Sequence, residues 1–268
     1  MTSKIIGLRK LIRRVVSALG VDPNFASRLA RIPRFLSEWR RYQAQNRDEA
    51  FRIKIQDLYP VLHDYDAAAG IASGHYFHQD LWAARKIYEL RPARHVDIGS
   101  RVDGFVAHLL TFMKVDVIDV RPLPFPVSGL RFIQDDATEL RQLQDGGCES
   151  LSSLNVAEHF GLGRYGDPID PNGFNRFAAA LGRVLAPDGH LFFSVPLGRQ
   201  RLEFNGQRVL AARTVLAAFP KLRLADFAFI DDDGDLHEHA DLAELPAGLE
   251  SGCGLFEFVR DSERVRER

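Results

Sequence analysis

The strongest constraint on this chain is a series of short apolar segments ending on acidic or polar residues, interleaved with stretches of helical period. Strands are predicted at Arg94–Ile98, Val115–Asp119, Leu130–Gln134, Ser150–Asn155 and His190–Val195. Helices are predicted at Val102–Lys114, where Phe105, Leu109, Leu110 and Met113 share one side, at Gly173–Leu185 and at Gln207–Phe219. Such alternation demands a mostly parallel sheet covered on both faces. Leu222–Ile230 and Leu255–Val259 follow with no helix between them, which predicts an antiparallel closing pair. Pro122, Pro124 and Pro126 forbid a helix between the second and third strands, so an extended loop is expected there. Asp231–Asp235 reads as a hairpin or loop.

Ahead of this pattern the chain changes character. Ile5, Leu8, Ile12, Val15, Val16 and Leu19 recur at helical steps, with Lys4, Arg9, Lys10, Arg13 and Arg14 beside them. Gly20 can close this helix, and Asp22-Pro23 can open a second basic segment carrying Arg28, Arg31, Arg34, Arg40 and Arg41. Residues 1–66 are therefore expected to form a basic helical extension and residues 67–268 the α/β domain. Two readings of residues 1–50 stand side by side: an interfacial helix on an anionic membrane, or a helix packed on protein. Trp39 and Tyr42 interleave with arginines, but no nucleic-acid recognition motif accompanies them. The net charge of −1 over 268 residues also gives no general attraction for nucleic acid.

No apolar run reaches the roughly 20 residues that span a bilayer, and no secretory signal pattern opens the chain. The two cysteines, Cys148 and Cys253, make neither a disulfide framework nor a metal spacing. The expectation is a cytoplasmic protein with two thiols, with peripheral contact at the inner membrane face as an addition. His75, His78 and Asp80 cluster before a periodic run ending at Pro92; they read as a helix start, and no metal is expected.

In an open sheet of this kind, ligands sit beyond the carboxyl ends of the strands. The first such edge is Asp97-Ile98-Gly99-Ser100-Arg101-Val102-Asp103-Gly104, where Gly99 permits a sharp turn close to a ligand. Asp119 ends the second strand, twenty-two residues after Asp97, a spacing suited to the two hydroxyls of a ribose. Asp135 and Asp136 end the third strand, where a side chain can meet an adenine amino group. The fourth strand runs into Asn155, Glu158 and His159; an imidazole there can act as a general base, with Glu158 orienting it. The loop that follows carries Tyr165, Asp167 and Asp170 and reads as the wall that meets a second substrate.

These motifs, together with Leu154-Asn-Val-Ala-Glu-His and Leu185-Ala-Pro-Asp-Gly-His-Leu, resemble the ordered motifs of class I S-adenosyl-L-methionine (SAM) methyltransferases. The likeness covers about Arg94 to Val259. The stretches from His75 to Trp82 and from Glu158 to Pro171 also resemble an uncharacterised-function family within that superfamily, often found with bacterial surface-polysaccharide genes. The resemblance implies a Rossmann-like, seven-stranded, mostly parallel sheet. It implies SAM held by Asp97, Gly99, Ser100, Arg101, Gly104, Asp119, Asp135, Asp136 and Asn155, and methylation of a sugar, glycan intermediate or other small molecule. One departure is visible. The usual glycine-rich loop is reduced to Gly99 and Gly104, with Arg101 and Asp103 where the methionine end would lie; Arg101 could clasp the methionine carboxylate. A non-catalytic binding or scaffold protein at the membrane surface is the alternative that this loop motivates.

Overall fold

The computed structural model describes Gly20, residues 28–70 and residues 72–262. The amphipathic helix expected over Lys4–Leu19 lies outside the described residues. The chain divides into two compact units, residues 1–70 and residues 71–268.

In the first unit, helix α1 (Ile32–Gln45) starts with Pro33 in its first turn, where a missing N–H costs nothing. Three short 3-10 turns follow, at Glu49–Phe51, Ile55–Asp57 and Asp64–Asp66. Side chains tie them to the helix: Gln43 Nε2 donates to Ile53 O at 3.1 Å, and Tyr65 Oη donates to Glu38 at 2.5 Å. The Arg34 guanidinium lies 4.1 Å from the centre of the Tyr65 ring. No described helix is long and apolar enough to cross a membrane.

The second unit opens with α2 (His75–Leu90), which starts after Gly74 without a side-chain cap and closes on Arg91 in the left-handed region. Its strands are β1 (His95–Ile98), β2 (Val115–Asp119), β3 (Leu130–Gln134), β4 (Cys148–Leu154) and β5 (Leu185–Leu197). After them come β6 (Arg201–Glu203), β7 (Gln207–Val209), β8 (Arg223–Ile230), β9 (Leu236–His237) and β10 (Gly252–Val259). The sheet order is β3-β2-β1-β4-β5-β10-β8-β9. The first five strands pair in parallel, and β10 is antiparallel to both β5 and β8. This is a Rossmann-like α/β fold with a mostly parallel sheet, and the two-residue β9 is added at its edge by the Asp231–Asp235 hairpin.

Two helix boundaries differ from the sequence reading. The helix expected from Gln207 begins only at α5 (Ala212–Ala218), because Gln207–Val209 pairs as β7 with β6. Leu210 N then donates to Pro196 O and Gly198 N to Leu210 O, pinning this hairpin to the end of β5. The helix expected over Val102–Lys114 is a wide π turn at Val102–Val106 followed by α3 (Ala107–Leu109) and further turns. Gly104 lies in that turn, and a Cβ there would stand 2.7 Å from Asp80 Oδ2 on α2.

The core has two halves, one on each face of the sheet. Phe193 packs with Phe177 and Leu181 of α4 (Gly173–Val184), while its neighbour Phe192 packs with Trp82, Phe105 and Leu109 on the opposite face. Alternate residues of β5 therefore serve both halves, as a strand covered on two sides requires.

Lys86 ties α2 to the antiparallel end of the sheet. Lys86 Nζ lies 2.7 Å from Asp226 on β8 and 2.9 Å from Glu257 on β10. Burial opposes charge on both acids, but Lys86 with His239 and His190 outweighs it, so both sit below the usual carboxylate range. Lys86→Met should cost about 3 kcal/mol in urea unfolding at pH 7, since it leaves two facing carboxylates without their cation. An acid with a depressed folded-state pKa contributes stability above its unfolded value and loses it as pH falls through the folded one. The gap between wild type and variant should therefore shrink below pH about 4. A gap that does not change with pH would refute this origin.

Candidate functional site

At the end of β1 the Asp97 side chain is fully buried. It accepts from Ser100 N at 3.1 Å, Ser100 Oγ at 2.6 Å and Ser152 Oγ at 2.6 Å. Burial nevertheless pushes its pKa up to about 6, against the pull of these donors. Ser152 Oγ also lies 2.9 Å from His95 Nε2, and Ser150 Oγ lies 2.8 Å from His95 Nδ1. Since the Ser152 proton goes to Asp97, His95 must donate from Nε2 and accept at Nδ1 from Ser150. Burial holds the His95 pKa at about 3, in keeping with a neutral ring.

Gly99 follows with φ +74, and a Cβ there would meet Val156 Cγ1 at 2.8 Å. Only glycine allows this turn to run so close to the fourth-strand edge. Ser100 is buried and spends its hydroxyl on Asp97 while accepting from Leu154 N. Arg101 turns to Asp103, with bonds of 3.2 and 2.9 Å, and packs over the Tyr76 ring at 5.2 Å.

A cleft opens at the carboxyl ends of β1, β2, β3 and β4. Gly99, Asp119, Asp136 and Asn155 line it, with apolar walls from Ile118, Val120, Val156 and Phe160. Asp97, Ser100, Arg101, Gly104 and Asp135 are not among its lining residues. Asp119 receives Arg121 N and Nε on Oδ1, at 2.8 and 3.0 Å, and Arg121 Nη2 on Oδ2 at 2.6 Å. Asp136 Oδ1 accepts from Thr138 N and Oγ1, whereas Asp135 is spent on the backbone N–H groups of Asp136 and Gln142. Asn155 sits in the left-handed region at φ +52, and its N–H meets Ser194 O and Oγ, both at 3.0 Å.

The fourth-strand edge brings Glu158 and His159 side by side. Glu158 is buried, its Oε2 has no hydrogen-bond partner among the described residues, and burial raises its pKa to about 8. His159 Nε2 lies 3.5 Å from Glu158 Oε1, and His159 Nδ1 donates to Gly206 O at 2.8 Å. Burial and then Arg164 lower the imidazole pKa to about 4. His159 lines the cleft; Glu158 lies behind it.

The loop after His159 forms the outer wall. Gly161, with φ +75, admits Asp170 O where a Cβ would clash. Asp167 accepts from Gly161 N, Gly163 N and Tyr165 N, and Asp170 from Asn172 N and Arg176. Asp167, Asp170 and Tyr165 all line the cleft, and the Tyr165 ring carries Arg121 at 4.7 Å and Arg164 at 5.2 Å.

The sequence reading missed Arg121, His95, Ser152 and the apolar cleft walls. Ser150 and Ser152, alternating on a buried strand, are the sign that could have exposed the network behind Asp97. Asp80 was read only beside histidines; it is buried, bonds Gln79 and packs against Gly104. Among the described residues, no three His, Cys, Asp or Glu side chains gather as a metal site would require.

Ser152→Ala removes one donor from the Asp97 carboxylate and should move its midpoint above about 6. Titration of the Asp97 carboxyl carbon by NMR reads this directly, and an unmoved midpoint would break the proposed donor role.

The family described as "Caenorhabditis protein of unknown function, DUF268" matches residues 139–231. No curated protein matches the chain in sequence. Among solved structures, the [4+2]-cyclase SpnF is similar with a TM-score of 0.50 and 12% identity, over 72% of this chain and 87% of that one. The 1,6-didemethyltoxoflavin-N1-methyltransferase of Burkholderia thailandensis, solved with its substrate and S-adenosylhomocysteine, has a TM-score of 0.49 and 16% identity. That alignment covers 69% of this chain and 79% of the other. The N-methyltransferase NodS of Bradyrhizobium japonicum, in complex with S-adenosylhomocysteine, has a TM-score of 0.45 and 15% identity, covering 70% and 88%.

Proposed function

We propose that residues 71–268 form a SAM-dependent methyltransferase acting on an oxygen of a sugar, glycan intermediate or other small molecule. The observation that carries this reading is one cleft joining the tight Gly99 turn, the Asp119 and Asp136 carboxylates and the Val120, Val156 and Phe160 walls. An adenosine needs these groups: acceptors for ribose hydroxyls and for an amino group, and apolar faces for the base. The lining fits the cofactor at Gly99 as well, where a side chain would close the approach. Arg101, bonded to Asp103, does not line the cleft.

SAM, when bound, supplies an electrophilic methyl group on a sulfonium. The protein's share is orientation of the acceptor and disposal of its proton. With Nδ1–H committed to Gly206 O, His159 keeps its lone pair on Nε2. Near neutral pH the ring is uncharged and Glu158 holds a proton. Once Glu158 ionises, its carboxylate stabilises an imidazolium formed when Nε2 takes the acceptor proton. Before that, burial, Arg164 and Arg121 oppose the imidazolium.

Calorimetry with S-adenosylhomocysteine should show binding, and Asp119→Ala should weaken it about tenfold, the scale of one charge-assisted hydrogen bond. Absence of heat at millimolar ligand would reject the reading. With an acceptor in hand, turnover should rise as pH passes through about 8, the midpoint of Glu158. Glu158→Gln should flatten that limb, and a limb that survives in the variant would remove Glu158 from the proton path.

A further inference from the structure

Acids and cations around the cleft are matched unevenly. On the adenosine-binding side, Asp119 and Asp136 present carboxylates. On the outer side the acids are already consumed. Asp167 is committed to three backbone N–H groups, and Asp170 to Asn172 N and Arg176. Arg164 and Arg208, which stand beside His159 without lining the cleft themselves, are not matched in the same way. Arg164 Nη1 donates to Gly206 O at 3.0 Å and lies 3.2 and 3.3 Å from the His159 ring nitrogens. Arg208 Nη1 donates to Phe160 O at 2.6 Å and to Glu158 O at 3.4 Å. Among the described residues, neither guanidinium has a carboxylate within ion-pair distance, and neither uses its Nε or Nη2.

Burial lowers the Arg208 pKa against the pull of Asp170 and Asp167, and Arg164 lowers that of His159. Guanidinium groups with no carboxylate at ion-pair distance among the described residues, next to the group that would face an acceptor, suit an anion. The guanidinium fork suits a carboxylate or a phosphoryl group, both of which accept two parallel hydrogen bonds. Arg121 adds to the field from the opposite lip, sharing the Tyr165 ring with Arg164.

We propose that Arg164, seated over His159 with Nε and Nη2 open, binds an oxyanion of the acceptor, making the acceptor a phosphorylated or carboxylated small molecule or sugar. This rests on the methyltransferase reading for the word acceptor, although the anion site itself does not. The group bound would lie within reach of His159, so that anchoring the anion also places a neighbouring hydroxyl near Nε2.

The test follows the His159 Cε1–H signal by NMR in the full chain, with glucose 6-phosphate, glucuronate and glucose as probes. At least one of the two anions should shift the signal in the low-millimolar range, and which one does so separates phosphoryl from carboxylate. Glucose should leave it in place. Arg164→Ala should weaken the anion at least tenfold and Arg164→Lys by less, because lysine keeps the charge and loses the fork. Arg223→Ala, at the far end of β8, should bind as wild type does. Thermal melting checks each variant, and Arg164→Gln replaces the alanine variant if that one fails to fold. Equal binding of glucose, binding of neither anion, or undiminished binding in both the alanine and glutamine variants would overturn the proposal. Displacement of the anion by S-adenosylhomocysteine would assign the site to the cofactor carboxylate and overturn it too. S-adenosylhomocysteine calorimetry on the same samples keeps the two claims apart: anion binding without cofactor binding sinks the methyltransferase and spares the site.

Discussion

The Asp97 carboxylate, enclosed where β1, β4 and the Gly99 turn meet, is the constraint on which the cleft depends. Burying a charge costs several kcal/mol unless donors replace its water. Here Ser100 supplies two and Ser152 a third. Ser100 belongs to the turn and Ser152 to β4, so satisfying the charge fixes the turn against the neighbouring strand. The consequences run outward. Ser100 Oγ, committed to Asp97, accepts from Leu154 N at the end of β4. Ser152, committed in the same way, fixes the proton of His95 on Nε2. The edge of the sheet is thereby held rigid before any ligand arrives, which is what a binding site on a scaffold requires.

The acids at successive strand ends look equivalent in sequence and meet different fates. Asp97 turns inward and never reaches the cleft. Asp135 caps the chain beyond β3 through Asp136 N and Gln142 N. Asp119 and Asp136 line the cleft, each partly satisfied by a residue two positions on. A carboxylate oxygen accepts more than one hydrogen bond, so this local satisfaction lowers the cost of an empty site and leaves capacity for a ligand hydroxyl.

The sheet was legible because its signals are periodic. Alternation of apolar strands with helical stretches, and the absence of a helix between Ile230 and Leu255, suffice for parallel order and an antiparallel close. What escaped has a physical reason as well. Gln207–Val209 has helical periodicity when taken with Leu210 and Val215, yet its backbone is claimed by Arg201–Glu203, a contact no local pattern encodes. The turn through Gly104 lies against Asp80, a neighbour distant in sequence that no local pattern announces. Gly99, Asp119, Asp136, Asn155 and His159 were readable from position at strand ends. Arg121 was not, since an arginine in a proline-rich loop has no period and declares itself only through the carboxylate it meets.

In the proposed reading the cleft orients two partners at once. Ribose hydroxyls and an adenine amino group are donors suited to Asp119 and Asp136. An oxyanion is a pure acceptor of hydrogen bonds, and Arg164 beside His159 offers it open donors. A neutral Glu158 behind the ring is what lets this arrangement persist near neutral pH. An ionised carboxylate 3.5 Å from Nε2 would offset the guanidinium and weaken the field that selects the anion. Ionising Glu158 therefore trades attraction for the acceptor against basicity at His159, and a bound oxyanion, by adding negative charge beside the pair, pushes the Glu158 midpoint further up.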